Sequence, residues 1–545
     1  MSRSAILLLF LITLLVYSNA LNCGFVFDDN ALVVNNPLIK SPELFKYIFK
    51  SGIYDHWLGP PLYDRMYRPL QALSYALDYK IWGLNPFGFH LTSVFIHFLN
   101  GILLYFLLFF LFKNQAVSWL AAVFFLVHPV NTSVVTYVAG RADILNLFFN
   151  LLSVLFFIKF LQTQARKMFT FSIFFALLAL LSRENSLILF IFIALVIFIF
   201  RVRPRYYFLI LPFLLLDSLY LIFRLIIFGP SGLAMHPADM PIFYSIINFL
   251  NILPRYLELL VFPVDLRLFR VTLFVRQIFE MKIIVPMLFI ALYVLAIFRF
   301  RHNRLIIFSL FWFLIGLLPV FILFDNFISL GQAMMAESWV YIASIGFFTG
   351  LAYFLSRLRK WGKLLALFLA FIYSLLTIYN NSFWKNETIF YKRVLSYSQE
   401  ANPLRQKLID AYLKDGRYKE ALGEIKKLSF FYPDTVLLDI SWGNYYYSTN
   451  QLQTALNYYD KIAVKSFWGD YRVSSCYIKL RKLDKAIDFA LASFRLNPYF
   501  VPNLIQLGDI YFMKGNTKES RKYYLIALRF DPKNPELRSL VKNMR

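Results

Sequence analysis

Two carboxylates stand side by side in Gly24-Phe25-Val26-Phe27-Asp28-Asp29-Asn30, just after an apolar run from Ile6 to Tyr17. A carboxylate can take up a proton. A charged acid is also costly at membrane depth, so an acidic pair at the exit of an apolar helix is by default a functional-site candidate. The plain alternative is a solvated turn, since Asp and Asn both suit a helix N-cap. Other ionisable residues sit between apolar runs in the same way: Arg68 and Asp78, His128, Arg141 and Asp143, Arg183 and Glu184, Glu337, and the set Arg267, Arg270 and Arg276. Guanidinium groups bind phosphate through charge-assisted, often paired hydrogen bonds. Each also has a structural reading. Arg68 could pair with Asp64 or Asp78, and Arg141 with Asp143. Arg267 and Arg270 could snorkel at a membrane interface. His128-Pro129 could simply end a span, and Arg183-Glu184 could face water in a hairpin turn.

The elements that must position these residues are membrane helices. The chain has 545 residues, 59% hydrophobic and 16% charged, with a mean hydropathy of +0.59. A soluble protein carries about 25% charged residues. The formal net charge of +25 fits Lys and Arg gathered in cytoplasmic loops and does not call for a nucleic-acid partner. Cys23 and Cys476, the two cysteines, lie too far apart for a metal or disulfide pattern. Cys23 follows an apolar run, but Leu21 and Asn22 are not the small residues that lipoprotein cleavage prefers, so residues 5–22 read as a retained first span.

After that span, residues 23–88 form a long first loop punctuated by Pro37, Pro42, Pro60, Pro61, Pro69 and Pro86, with Trp57, Tyr63, Tyr67 and Trp82 among its aromatics. Structureless loops of this length are uncommon, so it reads as a folded segment with short helices. Spans are expected near 89–112, 116–129, 144–162, 168–182, 186–200, 206–228, 282–298, 304–323, 339–356 and 364–381. The stretch 243–264, with Pro254, Arg255, Glu258 and Pro263, is ambiguous. Basic clusters at Arg166-Lys167, at Arg201, Arg203 and Arg205, at Arg299, Arg301 and Arg304, and at Arg357, Arg359, Lys360 and Lys363 fall on one side only if that stretch does not cross. The expectation is about eleven spans, with the N-terminus inside and the outer face gathering the ionisable residues above.

From about residue 400 the apolar runs stop. Ala421, Ala455, Ala486 and Ser520 recur at steps of 34, 31 and 34, each preceded at a near-constant offset by Tyr412, Tyr446, Tyr477 or Tyr511. Gly416 and Gly515 mark turns, and Pro433, Pro498 and Pro532 close repeats. This is the tetratricopeptide pattern, about four repeats over 401–545, with small residues where paired helices touch. Such stacks form a curved binding surface or a rigid spacer.

Ordered stretches across nearly the whole chain resemble the transmembrane and tetratricopeptide-repeat (TMTC-type) O-mannosyltransferases and their bacterial relatives, within the GT-C superfamily of lipid-dependent glycosyltransferases. They are Phe27-Asp28-Asp29 with Asn35-Asn36, Tyr67-Arg68-Pro69-Leu70, Trp82-Gly83, and Phe89-His90-Leu91 with His97. His128-Pro129-Val130-Asn131-Thr132 through Gly140-Arg141-Ala142-Asp143 follows, then Arg183-Glu184-Asn185, where the family has Lys-Glu. Ala336-Glu337-Ser338-Trp339-Val340-Tyr341 has Ser338 where the family usually has Arg. Asn381-Ser382-Phe383-Trp384-Lys385-Asn386-Glu387 marks the boundary before the repeats.

The resemblance implies an all-α polytopic membrane protein, with a GT-C-like domain over 1–381, a linker over 382–400 and the repeat solenoid after it. It implies a single inverting displacement that moves a sugar from a polyprenyl-phosphate carrier to a hydroxyl of a protein or envelope glycan. In that superfamily the first acid of the paired motif is commonly the base, which points to Asp28, with Asp29 orienting or binding the acceptor. Arg68 and Arg141, then Arg267 and Arg270, are expected on the phosphate, with Asp78, His128, Glu184 and Glu337 in support. No carboxylate cluster assigns a metal. A divalent cation stays open as a cofactor, although members using monophosphate carriers are generally metal-free. The implied location is a bacterial inner membrane with the repeats outside, or the endoplasmic reticulum membrane in a eukaryote. Two rivals stand beside the enzyme: a transporter of lipid-linked glycans, which should show internal repeats or paired broken spans, and a non-enzymatic scaffold displaying the repeats.

Overall fold

The computed structural model describes residues 2–50, 52, 66–201, 204–229, 242–272, 284–328, 333–397, 402–462 and 466–543. Trp57, Pro60, Pro61, Tyr63, Asp64, Arg203 and Arg276 lie outside the described residues. The chain divides into two compact units. One comprises residues 1–23, 67–71 and 86–382; the other comprises 24–66, 72–85 and 383–545.

The first unit is a bundle of apolar helices, because long Leu-, Ile- and Phe-rich runs bury their backbone polar groups only as helices. A helix matches each of the eleven expected spans, from Arg3–Val16 through Arg359–Asn381, and Ile242–Val261 adds a further one with Pro254 inside it. Among the described residues, five helical stretches are both long and apolar enough to cross a membrane alone: Pro86–Phe112, Val138–Thr163, Tyr206–Phe228, Arg304–Phe321 and Arg359–Trp384. A sixth arises if Gln115–Val127 and Pro129–Val135, bent by 51°, count as one span. Others are shorter: Arg3–Val16 has 14 residues, about 21 Å against the roughly 30 Å of a hydrocarbon core. Large apolar side chains such as Ile226, Leu367 and Phe371 are exposed, as lipid-facing positions would be. Among the described residues this unit holds one antiparallel ladder, β1 (Phe269–Thr272) with β2 (Ala333–Ala336), in which Arg270 faces Met335.

The second unit contains four helix pairs: Asn402–Lys414 with Tyr418–Phe431, Val436–Ser448 with Leu452–Asp460, Phe467–Lys479 with Leu483–Leu496, and Val501–Met513 with Thr517–Phe530. Pro535–Asn543 packs on the last of them. Ala421, Ala455, Ala486 and Ser520 are all fully buried where the helices meet. The periodic tyrosines stack on aromatics of the second helix, Tyr446 on Tyr458 at 5.5 Å, Tyr477 on Phe489 at 5.6 Å and Tyr511 on Tyr523 at 5.6 Å. Each turn within a pair needs one left-handed residue. Gly416 and Gly515 supply it in the outer pairs, and Asn450 and Arg481 adopt φ of +62° and +60° at the equivalent places. The first-loop segments 24–66 and 72–85 belong to this unit, together with the repeats.

Candidate active site

The acidic pair opens a short helical turn, Asn30–Val34. Asp29 is fully buried, and its Oδ2 accepts the Val26 N–H at 3.1 Å, closing a tight local loop. The Asp28 carbonyl accepts from Leu32 N–H at 2.8 Å, while its side chain stays half-buried. Phe27, just before the pair, has φ of +52°. For a bulky residue without glycine's freedom this is an outlier, of the kind that clusters at functional sites. The loop is tied down on both sides. Gly24 N–H donates to the Lys385 carbonyl at 3.0 Å, and Asn30 Nδ2 donates to Glu387 Oε1 at 2.8 Å. Further along, Lys40 Nζ meets Asp531 Oδ2 at 3.1 Å in a buried ion pair, and the Tyr79 hydroxyl donates to Asp531 Oδ1 at 2.7 Å. Lys533 Nζ donates to the carbonyls of Tyr79 at 3.1 Å and Lys80 at 2.6 Å. Asp78, on the same Pro69–Trp82 helix as Tyr79, is buried. All these residues belong to the repeat-containing unit.

The remaining candidates lie in the membrane unit, in two clusters. In the first, Arg68 forks onto Glu184, Nε to Oε2 at 3.2 Å and a terminal nitrogen to Oε1 at 2.6 Å. Beside it Arg183 pairs with Asp143 in a second buried bridge. Burial would raise the Glu184 carboxyl, but the Arg68 fork and Arg183 outweigh it and hold it at about 2. Two cations and two anions thus balance. The sequence marks Arg183 only as a neighbour of Glu184 and gives it no role on the phosphate. Its partner lies forty positions away, and the one signal for it was the Ser182-Arg183-Glu184 turn. Arg141 is fully buried, donating to the Phe89 carbonyl at 2.5 Å and to Ser93 Oγ at 3.3 Å.

The second cluster is built on the β-ladder. Glu337, 2% exposed, accepts from the Arg267 backbone N–H and meets Arg270 at 3.3 Å, while the Arg267 side chain pairs with Asp265. Burial pushes the Glu337 carboxyl up to about 8, against the opposing Arg270 guanidinium. The Arg267 and Arg270 side chains remain 25% and 20% exposed, more open than Arg68 at 11%.

His128 serves the fold. Its Nδ1 accepts from Val130 N–H at 3.2 Å, so the proton resides on Nε2, which donates to the Leu260 carbonyl at 3.1 Å. Its ring sits edge-on to Tyr373 at 4.5 Å. His97 likewise bonds the Tyr341 hydroxyl at 2.8 Å, and Asn100 donates to the same hydroxyl at 3.2 Å. Motif residues from two distant stretches therefore form one buried polar network. Among the described residues no group of three His, Cys, Asp or Glu side chains is placed to hold a metal ion.

Comparison with known proteins follows this geometry. Residues 40–270 match the family model of dolichyl-phosphate-mannose-protein mannosyltransferases, and residues 501–534 match a tetratricopeptide repeat. The Caenorhabditis elegans protein O-mannosyl-transferase F38B6.6 is 24% identical over 72% of this chain and 57% of its own length. Mouse protein O-mannosyl-transferase TMTC1 is 35% identical over 28% of this chain and 16% of its own. The chain thus spans at most 57% of either relative. A crystal structure of ArnT from Cupriavidus metallidurans bound to undecaprenyl phosphate aligns over 85% of this chain and 81% of its own, at 13% identity and a TM-score of 0.40, too low a likeness to inform the site. The chain is a helical membrane protein with tetratricopeptide repeats, similar in sequence to the TMTC-type protein O-mannosyl-transferases.

Proposed function

We propose that this chain is a membrane glycosyltransferase. It moves a sugar, a hexose such as mannose, from a polyprenyl-phosphate carrier to a hydroxyl of a protein or envelope glycan on the outer face. The observation that carries the reading is the division of labour in the acidic pair. Asp29 is consumed by its own loop, whereas Asp28 beside it is half-buried on a backbone held by Phe27 in the left-handed region.

An acceptor hydroxyl is a poor nucleophile until a base takes its proton. In this reading the Asp28 carboxylate takes that proton as the acceptor oxygen attacks the anomeric carbon. The bond from that carbon to the carrier phosphate breaks, and the lipid phosphate leaves with the electron pair. One bond forms as one breaks, so the anomeric configuration inverts. The leaving phosphate gains charge, and fixed guanidinium groups stabilise it. Arg267 and Arg270, also paired with carboxylates but 25% and 20% exposed, suit this role better than Arg68 at 11%. Arg141, buried and bonded to the Phe89 carbonyl and Ser93 Oγ, is the next candidate. Glu184 and Glu337 act as holders of arginines. The repeats would take a protein acceptor or partner, and the donor lipid stays in the bilayer.

The test compares glycopeptides and envelope glycans by mass spectrometry in cells with wild-type protein, no protein, or Asp28→Asn at matched membrane levels. Loss of one sugar mass in both the null and the variant supports Asp28 as the base. A glycan lost in the null but kept by Asp28→Asn removes that assignment and favours transport or scaffolding.

A further inference from the structure

The membrane unit holds a hollow of about 260 Å³ between the ends of two helices, Leu189–Phe200 and Arg304–Ile328. The helices pack together through Phe192 and Trp312, whose ring centres lie 4.2 Å apart. Ile199 and Arg201 line the hollow from the end of the first helix. Arg301, Arg304 and Ile307 line it from the turn into the second, and Tyr207 adds a further wall. The Arg68–Glu184 cluster lies at the other end of the first helix. Five residues of 3-10 turn from Glu184 and twelve of α-helix separate the two, about 28 Å in all, close to the thickness of a hydrocarbon core. The hollow thus opens at the basic end of the bundle, the end that the positive-inside rule assigns to the cytoplasm.

The lining carries three guanidinium groups and no acid. All three arginines are exposed. Among the described residues none of them is in an ion pair, and Arg301 Nε donates to His302 Nε2 at 3.1 Å. Arg68, Arg183, Arg267 and Arg270, by contrast, each face a carboxylate. The backbone that presents the three is fixed. Arg201 N–H donates to the Phe198 carbonyl at 3.1 Å, and Asn303 N–H to the Phe300 carbonyl at 2.8 Å. Asn303 Oδ1 accepts from Leu305 and Ile306 N–H at 3.1 and 3.3 Å. Asn303 thereby caps the second helix, so an anion here would be held by the guanidinium groups and not by the helix end. Like charges brought to one hollow repel, and a phosphate among them replaces that cost with charge-assisted hydrogen bonds. Topology asks for basic residues at this end of the bundle. It does not ask that they converge from two segments on one apolar-walled hollow.

The walls select among anions. Ile199 and Ile307 are buried, while Phe198 and Tyr207 are largely exposed at the rim. Phe208 and Leu211, next along the chain from Tyr207, are exposed as well. A free phosphate gains nothing from such surface, whereas an acyl chain does. The volume falls below that of a site enclosing a whole ligand and suits a head group whose chains stay outside. Basic pockets between membrane helices on the cytoplasmic side take such head groups.

We propose that the hollow between Arg201, Arg301 and Arg304 seats the phosphate head group of an anionic bilayer phospholipid in the cytoplasmic leaflet, with its acyl chains along Phe198 and Tyr207. No step of sugar transfer uses these residues, so the inference goes beyond the transferase reading and does not depend on it. It adds a second lipid site, in the leaflet opposite the one where the carrier is proposed to react.

The test counts bound lipid directly. The full-length chain, stripped of native lipid by detergent exchange, is titrated with dioleoyl-phosphatidylglycerol or dioleoyl-phosphatidylcholine and followed by native mass spectrometry. Wild type should saturate with one tightly held phosphatidylglycerol, at least tenfold tighter than phosphatidylcholine. Arg201→Gln and Arg304→Gln should each raise Kd about tenfold. Both side chains are exposed, so melting curves in lipid-free detergent should match wild type; Arg301→Gln serves if either variant fails to fold. The double variant Arg166→Gln/Lys167→Gln, basic residues outside the hollow, should bind like wild type, and so should Asp28→Asn. Equal affinity for the two lipids overturns the proposal. So does an equal loss in Arg166→Gln/Lys167→Gln, which would make the attraction one of diffuse charge. Displacement of the lipid by inorganic phosphate would make the occupant a free anion, and a polyprenyl phosphate that outcompetes phosphatidylglycerol would make it a carrier site; either result overturns it as well.

Discussion

The Asp28-Asp29 loop and the Arg68–Glu184/Arg183–Asp143 cluster are both rich in charge, yet they spend it differently. In the cluster every cation faces an anion, and the group is neutral as a whole. In the loop a backbone N–H takes up Asp29, while Asp28 stays partly open. Charge density alone therefore does not mark a reactive group. What marks the candidate is a half-buried carboxylate on a backbone fixed around it.

The largest expected effect tests the loop side of this contrast. Asp28→Asn should lower transfer about 10²- to 10⁴-fold with an unchanged melting temperature, read by donor-lipid turnover and thermal unfolding of the purified chain. Activity within tenfold of wild type would place the base elsewhere. Next, Arg68→Met should leave Glu184 buried without its fork and destabilise the protein by about 3 kcal/mol or more. The double variant Arg68→Met/Glu184→Leu should recover part of that in the same melts. No loss in the single variant would mean the cluster is not structural.

A smaller effect is expected at the tie between loop and repeats. Lys40→Met should cost about 2 kcal/mol and lower turnover with donor KM unchanged, because Tyr79 still holds Asp531. The exchange Lys40→Asp/Asp531→Lys should restore part of both.

The two glutamates give opposite pH signatures. Glu184 sits at about 2 in the fold against an ordinary 4.5, so its stabilisation is complete above 4.5 and fades as pH falls toward 2. Glu337 sits at about 8 against 4.5, so the fold binds the extra proton between those values. Its contribution is complete below 4.5 and fades as pH rises through 8. Melting curves across pH should lose the acid-side slope in Glu184→Gln and the alkaline slope in Glu337→Gln; a variant that keeps its slope refutes that assignment. The smallest expected effect is Asp29→Ala, which loses the buried hydrogen bond from the Val26 N–H, worth about 1 kcal/mol, and should lower the melting temperature more than it lowers turnover per folded molecule.

Much of this architecture is legible in sequence because its signals are local. Apolar runs announce helices, and a 34-residue recurrence of small residues and tyrosines announces stacked pairs, down to the turn positions of Gly416 and Gly515. Asn450 and Arg481 were not legible as their equivalents, since neither residue type advertises a left-handed turn. The site is harder to read. That Asp28 and Asp29 should differ follows from adjacency alone. Which one is consumed depends on where the Val26 N–H points. The Arg183–Asp143 bridge and the Lys40–Asp531 tie join residues far apart in the chain, and no periodicity reports such partners. The likeness to His-Pro and Glu-Ser-Trp motifs drew attention to His128 and Tyr341, whose atoms turn out to be engaged in holding helices together.

The tie between Lys40 and Asp531 has a further consequence, in the arithmetic of crossings. Two side chains in direct contact share one aqueous compartment, so the chain must pass through the bilayer an even number of times between them. Among the described residues, eleven α-helices of the membrane unit longer than four residues, from Pro86–Phe112 to Arg359–Asn381, lie in that interval when Ile242–Val261 is counted. An odd total fails this parity. If the other ten all cross, the parity holds only when Ile242–Val261, with Pro254 inside it and the exposed pair Arg255 and Glu258, lies along or dips into the membrane.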